Sequence, residues 1–171
     1  MAVLETGRLF LCRWNSEDWR DLHGLSSDRE VMRYIGDGAP WPEQRTREFV
    51  ERQRVQFATR GFCRWRLVSK ASGEMAGFCG IGWLPGLADF EIGWWLARRF
   101  WGQGLATEAA RIALNDGFER ARLVRLVSIA HPQNAASFRV MEKIGMIRET
   151  EFEFRGQPVI QYGIVRPFDS V

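Results

Sequence analysis

Between Asp89 and Ala130 the hydrophobic period of the chain changes twice, which limits the fold more than any other feature. DFEIGWWL (Asp89 to Leu96) alternates and is rich in aromatic and branched side chains, as strands are. Leu105 to Arg120 then places Ala109, Ile112 and Ala113 on one helical face, and VRLVSIA (Val124 to Ala130) returns to β-branched residues. Strand, helix and strand in succession form a crossover that sets two parallel strands in one sheet.

The segments around this unit alternate in the same way. RLFLCRW (Arg8 to Trp14) reads as a first strand, and Ser16 opens a helix carrying Trp19 and Leu22. Ser27-Asp28-Arg29-Glu30 has capping-box spacing, and Val31, Met32 and Ile35 give a short helix that ends at Gly36. After the loop GDGAPWP, Glu43 to Thr59 is a polar helix with Phe49, Val50 and Phe57 on one side, closed by Gly61. FCRWRLVS, the turn KASGE and MAGFCGIGWL (Met75 to Leu84) make a hairpin that breaks at Pro85-Gly86. Asn134 caps a helix through Ile144, Gly145 ends it, and strands near Met146 to Phe154 and Val159 to Arg166 follow. The pattern predicts an α/β fold with a mixed sheet.

With 171 residues, 46% of them hydrophobic and 13% aromatic, the chain suits one compact core, so residues 1–171 are expected to form a single domain. No stretch approaches the roughly 20 apolar residues of a membrane span, and MAVLETGRLFL lacks an apolar signal core, so a soluble, cytoplasmic protein is expected. Cys12, Cys63 and Cys79 form neither a CxxC pair nor a metal cluster with His23 and His131, and read as reduced, buried thiols with no metal. The net charge of +3 comes from 24 basic against 21 acidic residues, with arginines spread along the chain, which argues against a nucleic-acid partner. Eight tryptophans are more than one small core usually holds; they are expected to fill it and cover a cleft, and the surplus raises a homodimer as an expectation.

ARRFWGQGLATEAA leaves a buried strand, turns at Gly102 and Gly104, and enters an Ala-rich helix. Free N–H groups converge at such a turn, glycine lets a ligand approach the backbone, the helix dipole favours an anion, and Thr107 adds a hydroxyl. A pyrophosphate fits there, although two glycines at a strand-to-helix turn can also serve the turn alone. A dinucleotide site fits less well, because Thr107 stands in the third glycine's place and the next strand carries no carboxylate. No G-K-[ST] follows the glycines, so a phosphate loop of the NTPase kind is excluded.

EIGWWLARRFWGQGLATEAA and HPQNAASFRVMEKIGM, with ETGRLFLCRW at the start, resemble the GNAT acetyltransferase superfamily in its branch of ribosomal-protein alanine N-acetyltransferases. The resemblance covers nearly the whole chain. It implies a mixed, mostly antiparallel sheet of six to seven strands flanked by about four helices, splayed between the strands at 89–96 and 124–130. It implies acetyl-coenzyme A as acetyl donor and a primary amine as acceptor, either a protein N-terminus or a small molecule. The backbone of Trp95 and Leu96 would pair with the pantetheine arm, and Gly102, Gln103, Gly104, Leu105, Ala106 and Thr107 would hold the pyrophosphate. Two registers of the family's phosphate pattern fit, one from Arg99 and one from Trp101; the second is preferred, with Arg98 or Arg99 supplying charge. Asn134 and Ser137 would contact the arm from the other side.

Amide formation from a thioester requires a neutral amine, whereas an alkyl ammonium has a pKa of about 10.4, so a base must take a proton. Glu91, on the strand beside the expected cleft, is the candidate, or else a salt-bridged strand carboxylate. Some members of the family use a Glu and a Tyr at the positions of Ile129 and Met141, neither of which transfers a proton here. Ser137 remains as the hydroxyl that could protonate the leaving thiolate, or is an ordinary first-turn residue. A non-catalytic cofactor-binding module and an RNA-associated protein are the competing classes; turnover and salt-dependent RNA retention separate them.

Overall fold

The chain folds, in a computed structural model that describes residues 2–167, around strands β1 (Ala2–Glu5), β2 (Leu9–Cys12), β3 (Arg64–Ser69), β4 (Met75–Leu84), β5 (Asp89–Leu96), β6 (Arg125–Ala130), β7 (Ile147–Phe154) and β8 (Gln157–Val165). They form one sheet in the order β1-β2-β3-β4-β5-β6-β8-β7. Every neighbouring pair is antiparallel except β5 and β6, the parallel pair that the crossover requires. The helices are α1 (Trp19–Ser26), α2 (Arg29–Met32), α3 (Glu43–Arg60), α4 (Leu105–Glu119) and α5 (Ala135–Lys143), with two short 3-10 turns.

Among the described residues eight strands stand where six to seven were expected, and five α-helices where about four were. The added strand is Ala2–Glu5, whose pairing places Leu4 opposite Leu11 and Glu5 opposite Phe10. Four residues carry too little period to announce a strand, so partner β2 defines it. Asp28, the second residue of the predicted capping box, is the actual cap of α2, its side chain accepting from Glu30 N–H. That helix ends at Met32, a turn before Gly36.

Thr46, Phe49, Val50 and Gln53 form the buried stripe of α3, spaced as one helical face. Phe49 packs against Phe78 and Trp95, cross-strand partners on one face of the sheet. The opposite face receives α4 through Ala109, Ala110, Ala113 and Leu114. A Cβ on Gly117 would stand 2.4 Å from Ile81 Cδ1, so the helix packs directly onto β4 there. Trp14, Trp19, Trp41 and Trp65 are buried in the core, Trp94 and Trp95 are half-buried, and Trp83 and Trp101 are exposed. Among the described residues no helix is long and apolar enough to cross a membrane.

All three cysteines are buried. Burial pushes the Cys63 thiol up to about 12 and the Cys79 thiol higher still, so neither supplies thiolate at neutral pH. The folded protein is therefore expected to resist a thiol-reactive disulfide reagent at pH 7.5 and to react at all three cysteines only when denatured. Rapid stoichiometric labelling of the native protein would contradict this packing.

Candidate active site

Between β5 and β6 only Glu91 and Val127 are in register, whereas β4 and β5 stay paired from Gly77 opposite Leu96 to Leu84 opposite Asp89. The parallel strands therefore part beyond this point. Ala97 N–H donates to Ala76 O at 2.9 Å, and strand alternation then turns the amide groups of Trp95 toward β4 and those of Trp94 and Leu96 toward the gap. Of the expected pairing groups, Leu96 turns its amide groups to the gap, as Trp94 does, whereas Trp95 turns its own to β4; all three residues line the cleft. Leu96 O accepts from the indole N–H of Trp101 at 2.7 Å, which satisfies one of these groups from within.

The gap opens into a cleft of about 600 Å³. Its far end is the N-terminus of α4. Gly102 and Gly104 both adopt positive φ (72° and 77°), and Gly104 caps the helix in the left-handed region. Glu108 N–H donates to Gly104 O, which leaves the amides of Leu105, Ala106 and Thr107 ahead of the first helical bond. Trp95, Leu96, Gly102, Gly104, Leu105, Ala106, Thr107, Asn134 and Ser137 all line this one cleft, while Gln103 and Glu91 stand outside its lining. Asn134 Oδ1 accepts from Ser137 N–H at 3.2 Å and caps α5, so its carbonyl is committed to the helix.

The turn is held from behind. The Thr6 hydroxyl and the Arg8 backbone N–H donate to Glu108 Oε1, Arg8 Nε donates to Glu108 Oε2 at 2.7 Å, and Arg8 Nη1 donates to Gln103 O at 2.9 Å. Gln103 thus acts through its backbone, facing Arg8. Arg98 pairs with Asp28 at 3.0 Å and Arg99 with Glu74 at 3.3 Å, so the charge expected from them is already balanced. Positive charge near the turn comes instead from Arg111 and Lys143, which together with Arg8, itself paired with Glu108, line a second hollow sharing Gly104, Thr107 and Lys143 with the first.

Sequence reasoning missed the roof of the cleft. Glu30 and Tyr34, on and just after α2, line it, and the Tyr34 ring stacks on His131 with centroids 5.5 Å apart. The Asp28–Arg98 pair holds the start of α2 to the β5 side, and the Tyr34–His131 stack holds its end to the β6 side. The only signal was the four-residue spacing of Glu30 and Tyr34, which does not reveal a partner 97 residues away from Tyr34. Met141 is fully buried, consistent with its inability to transfer a proton.

The acetyltransferase (GNAT) domain family matches residues 8–147. The chain belongs to the GNAT acetyltransferase family. It is similar to the uncharacterized protein YkkB of Bacillus subtilis strain 168, 34% identical over 93% of each chain. It is 30% identical to the spermidine N(1)-acetyltransferase of Escherichia coli K12, over 79% of this chain and 70% of that one. A GNAT-family acetyltransferase crystal structure from Bacillus anthracis superposes with a TM-score of 0.79 at 29% identity, covering 95% of this chain and 97% of that chain. The protein is thus an acetyl-transferring enzyme, and acetyl-coenzyme A is the acetyl donor its family uses.

Burial pushes the Glu108 carboxyl up, yet hydrogen bonds from Thr6 and Arg8 outweigh it and hold it below its ordinary value of 4.5. A depressed carboxyl contributes stability above its unfolded value and loses it as pH falls through its folded one. Glu108→Gln is therefore expected to lower stability by about 1–2 kcal/mol at pH 7, with the difference from the parent shrinking below pH 4. Urea unfolding at both pH values checks this, and an undiminished gap at pH 3 would refute it.

Proposed function

We propose that the chain acts as a single-domain, cytoplasmic N-acetyltransferase that transfers the acetyl group of acetyl-coenzyme A to a primary amine by direct attack on the thioester. The observation that carries this reading is the splay itself: Trp94 and Leu96 turn amide groups, of which Leu96 O is already met by the Trp101 indole, toward a cleft that ends at a glycine-capped helix N-terminus. A pantetheine arm carries amides that can pair there as an added strand, and a pyrophosphate suits the amides of Leu105, Ala106 and Thr107. Arg8, Arg111 and Lys143 lie where further phosphate charge would fall.

In the reaction the amine nitrogen attacks the thioester carbonyl, the C–N bond forms, and the C–S bond breaks with its electron pair leaving on sulfur. The amine loses a proton and the thiolate gains one. Glu91 is the base in this reading. Its Oε2 pairs with Arg64, and its carboxylate lies over Gly93, 3.7 Å from where a Cβ would stand, one residue before Trp94 at the gap. Its other oxygen has no donor among the described residues, and standing outside the cleft lining it would act through water. Ser137, which lines the cleft, would return a proton to the thiolate. The ribosomal-protein branch, with a protein N-terminus as acceptor, is the narrower form of this reading; the spermidine enzyme among the relatives favours amine acceptors in general.

Acetyl-coenzyme A is expected to raise the thermal midpoint well beyond nicotinamide dinucleotides or ATP at equal concentration, because only a ligand that binds the folded state stabilises it. Gly104→Val is expected to lose that shift while unfolding only about 1–2 kcal/mol more easily, the strain of a side chain at positive φ. Equal shifts for all three ligands would remove the cofactor assignment.

Glu91→Gln is expected to keep cofactor affinity while kcat falls by roughly 10²–10⁴, partly recovered at high pH where more amine is already neutral. Thiol release across pH measures this. A similar proportional loss at every pH, together with lower stability, would assign Glu91 to bracing Arg64 instead.

A further inference from the structure

The sheet face that bears Glu91 has a bare floor. A Cβ on Gly82 would fall within 3.0 Å of the Arg64 guanidinium, and one on Gly93 would stand 3.6 Å from Arg64 Nε, so that side chain lies flat across both glycines. Arg64 and Glu91 are each 14% exposed, and the pair uses only Nη2, leaving Nε and Nη1 without an acceptor among the described residues.

α3 lies over this floor, with Gln53 Oε1 accepting from the Arg64 N–H at 3.0 Å; Arg45, Glu48 and Arg52 follow one side of that helix, and Arg155, in the turn between β7 and β8, is near enough to repel Arg52. Burial, and then repulsion from Arg45, Arg64 and Arg155, hold the Arg52 guanidinium below its ordinary value against the pull of Glu48. Four guanidinium groups thus face two carboxylates, Glu48 and Glu91. Two other arginines of the same helix are matched, Arg47 with Glu43 and Arg54 with Glu51. Arg52 has no hydrogen-bond or ion-pair partner among the described residues, while Arg45 and Arg155 rest only on the rings of Trp41 and Phe154. Trp41 packs on Trp95, so this basic surface continues into the cleft wall.

We propose that these guanidinium groups anchor the acceptor, and that the acceptor is an amine carrying a carboxylate, such as an amino acid or an acidic peptide N-terminus. The carboxylate binds between Arg52 and Arg155 above Arg64, a geometry guanidinium matches with paired hydrogen bonds, and the amine extends past Gly93 toward the gap. A polyamine brings like charge to this surface and is disfavoured. This inference rests on the acetyl-transfer reading above.

The test measures thiol release from acetyl-coenzyme A with matched pairs of amino acids and their carboxamides, and with spermidine. The acid is expected to exceed its amide in kcat/KM by roughly tenfold, the worth of one charge-assisted hydrogen bond. The amide has the more acidic ammonium and so the larger neutral fraction, which makes a preference for the acid the harder result to obtain. Spermidine is expected to be poorer still, and salt to erode the preference. Arg52→Gln and Arg155→Gln should each bring the acid-to-amide ratio toward one with the acetyl-coenzyme A thermal shift intact. Turnover in which the amide or spermidine equals or beats the acid, or absent turnover of every carboxylate-bearing amine despite a thermal shift, overturns the inference alone. No turnover and no thermal shift overturn the acetyl-transfer reading beneath it.

Discussion

Backbone amides removed from water must find partners, and this sheet is built around a place where two strands decline to provide them. β5 and β6 share a single registered pair, Glu91 with Val127, and then separate. Because β4 holds the other edge of β5 along its whole length, β5 cannot swing to close the gap. Trp94 and Leu96 are left with amides aimed into a cleft, one of them covered by the Trp101 indole. The proposed acetyl transfer builds on this: an arm that behaves as a strand would fit the opening, and the helix joining the two strands starts where that arm would end.

Two sets of contacts keep the opening in shape. At the phosphate end, Thr6 and Arg8 from the β1–β2 turn converge on Glu108, and Arg8 extends to Gln103 O. The left-handed turn through Gly102 and Gly104 is therefore braced by a carboxylate in the first turn of α4, where the helix dipole also favours negative charge. Over the cleft, α2 is tied at one end by Asp28 to Arg98 and at the other by Tyr34 to His131. One tie reaches the β5 side of the gap and the other the β6 side, so α2 links the two walls.

The acceptor side obeys a different logic. The α4 face of the sheet is closed by small side chains and apolar contacts, whereas the face beneath α3 carries glycines at positions 82 and 93 with a charged pair laid across them. Bare glycine floors cost strand stability, and unmatched arginines cost electrostatic energy. That both coincide beside the gap is consistent with a surface shaped for a polar, anionic ligand.

Much of this was legible in the residues. The crossover from Asp89 to Ala130, the glycine turn before Leu105 and the cap at Asn134 depend on local preferences of backbone and side chain, and such preferences act over a few residues whatever surrounds them. The short strand Ala2–Glu5 and the roof of Glu30 and Tyr34 were not legible, since each exists only through a partner elsewhere. Strand alternation decided that Trp94, and not Trp95, turns its amide to the gap, and that parity is set by the hydrogen bond from Ala97 to Ala76. By itself the sequence determined the element order, the glycine-capped helix start and hence the family chemistry, because these reside in short contiguous patterns. Only the tertiary structure decided which charges meet: Arg8 with Glu108, Arg98 with Asp28, Arg64 with Glu91, and Arg52 with no carboxylate in contact among the described residues. Charge pairing depends on distances between elements far apart in the chain, and no local pattern encodes them.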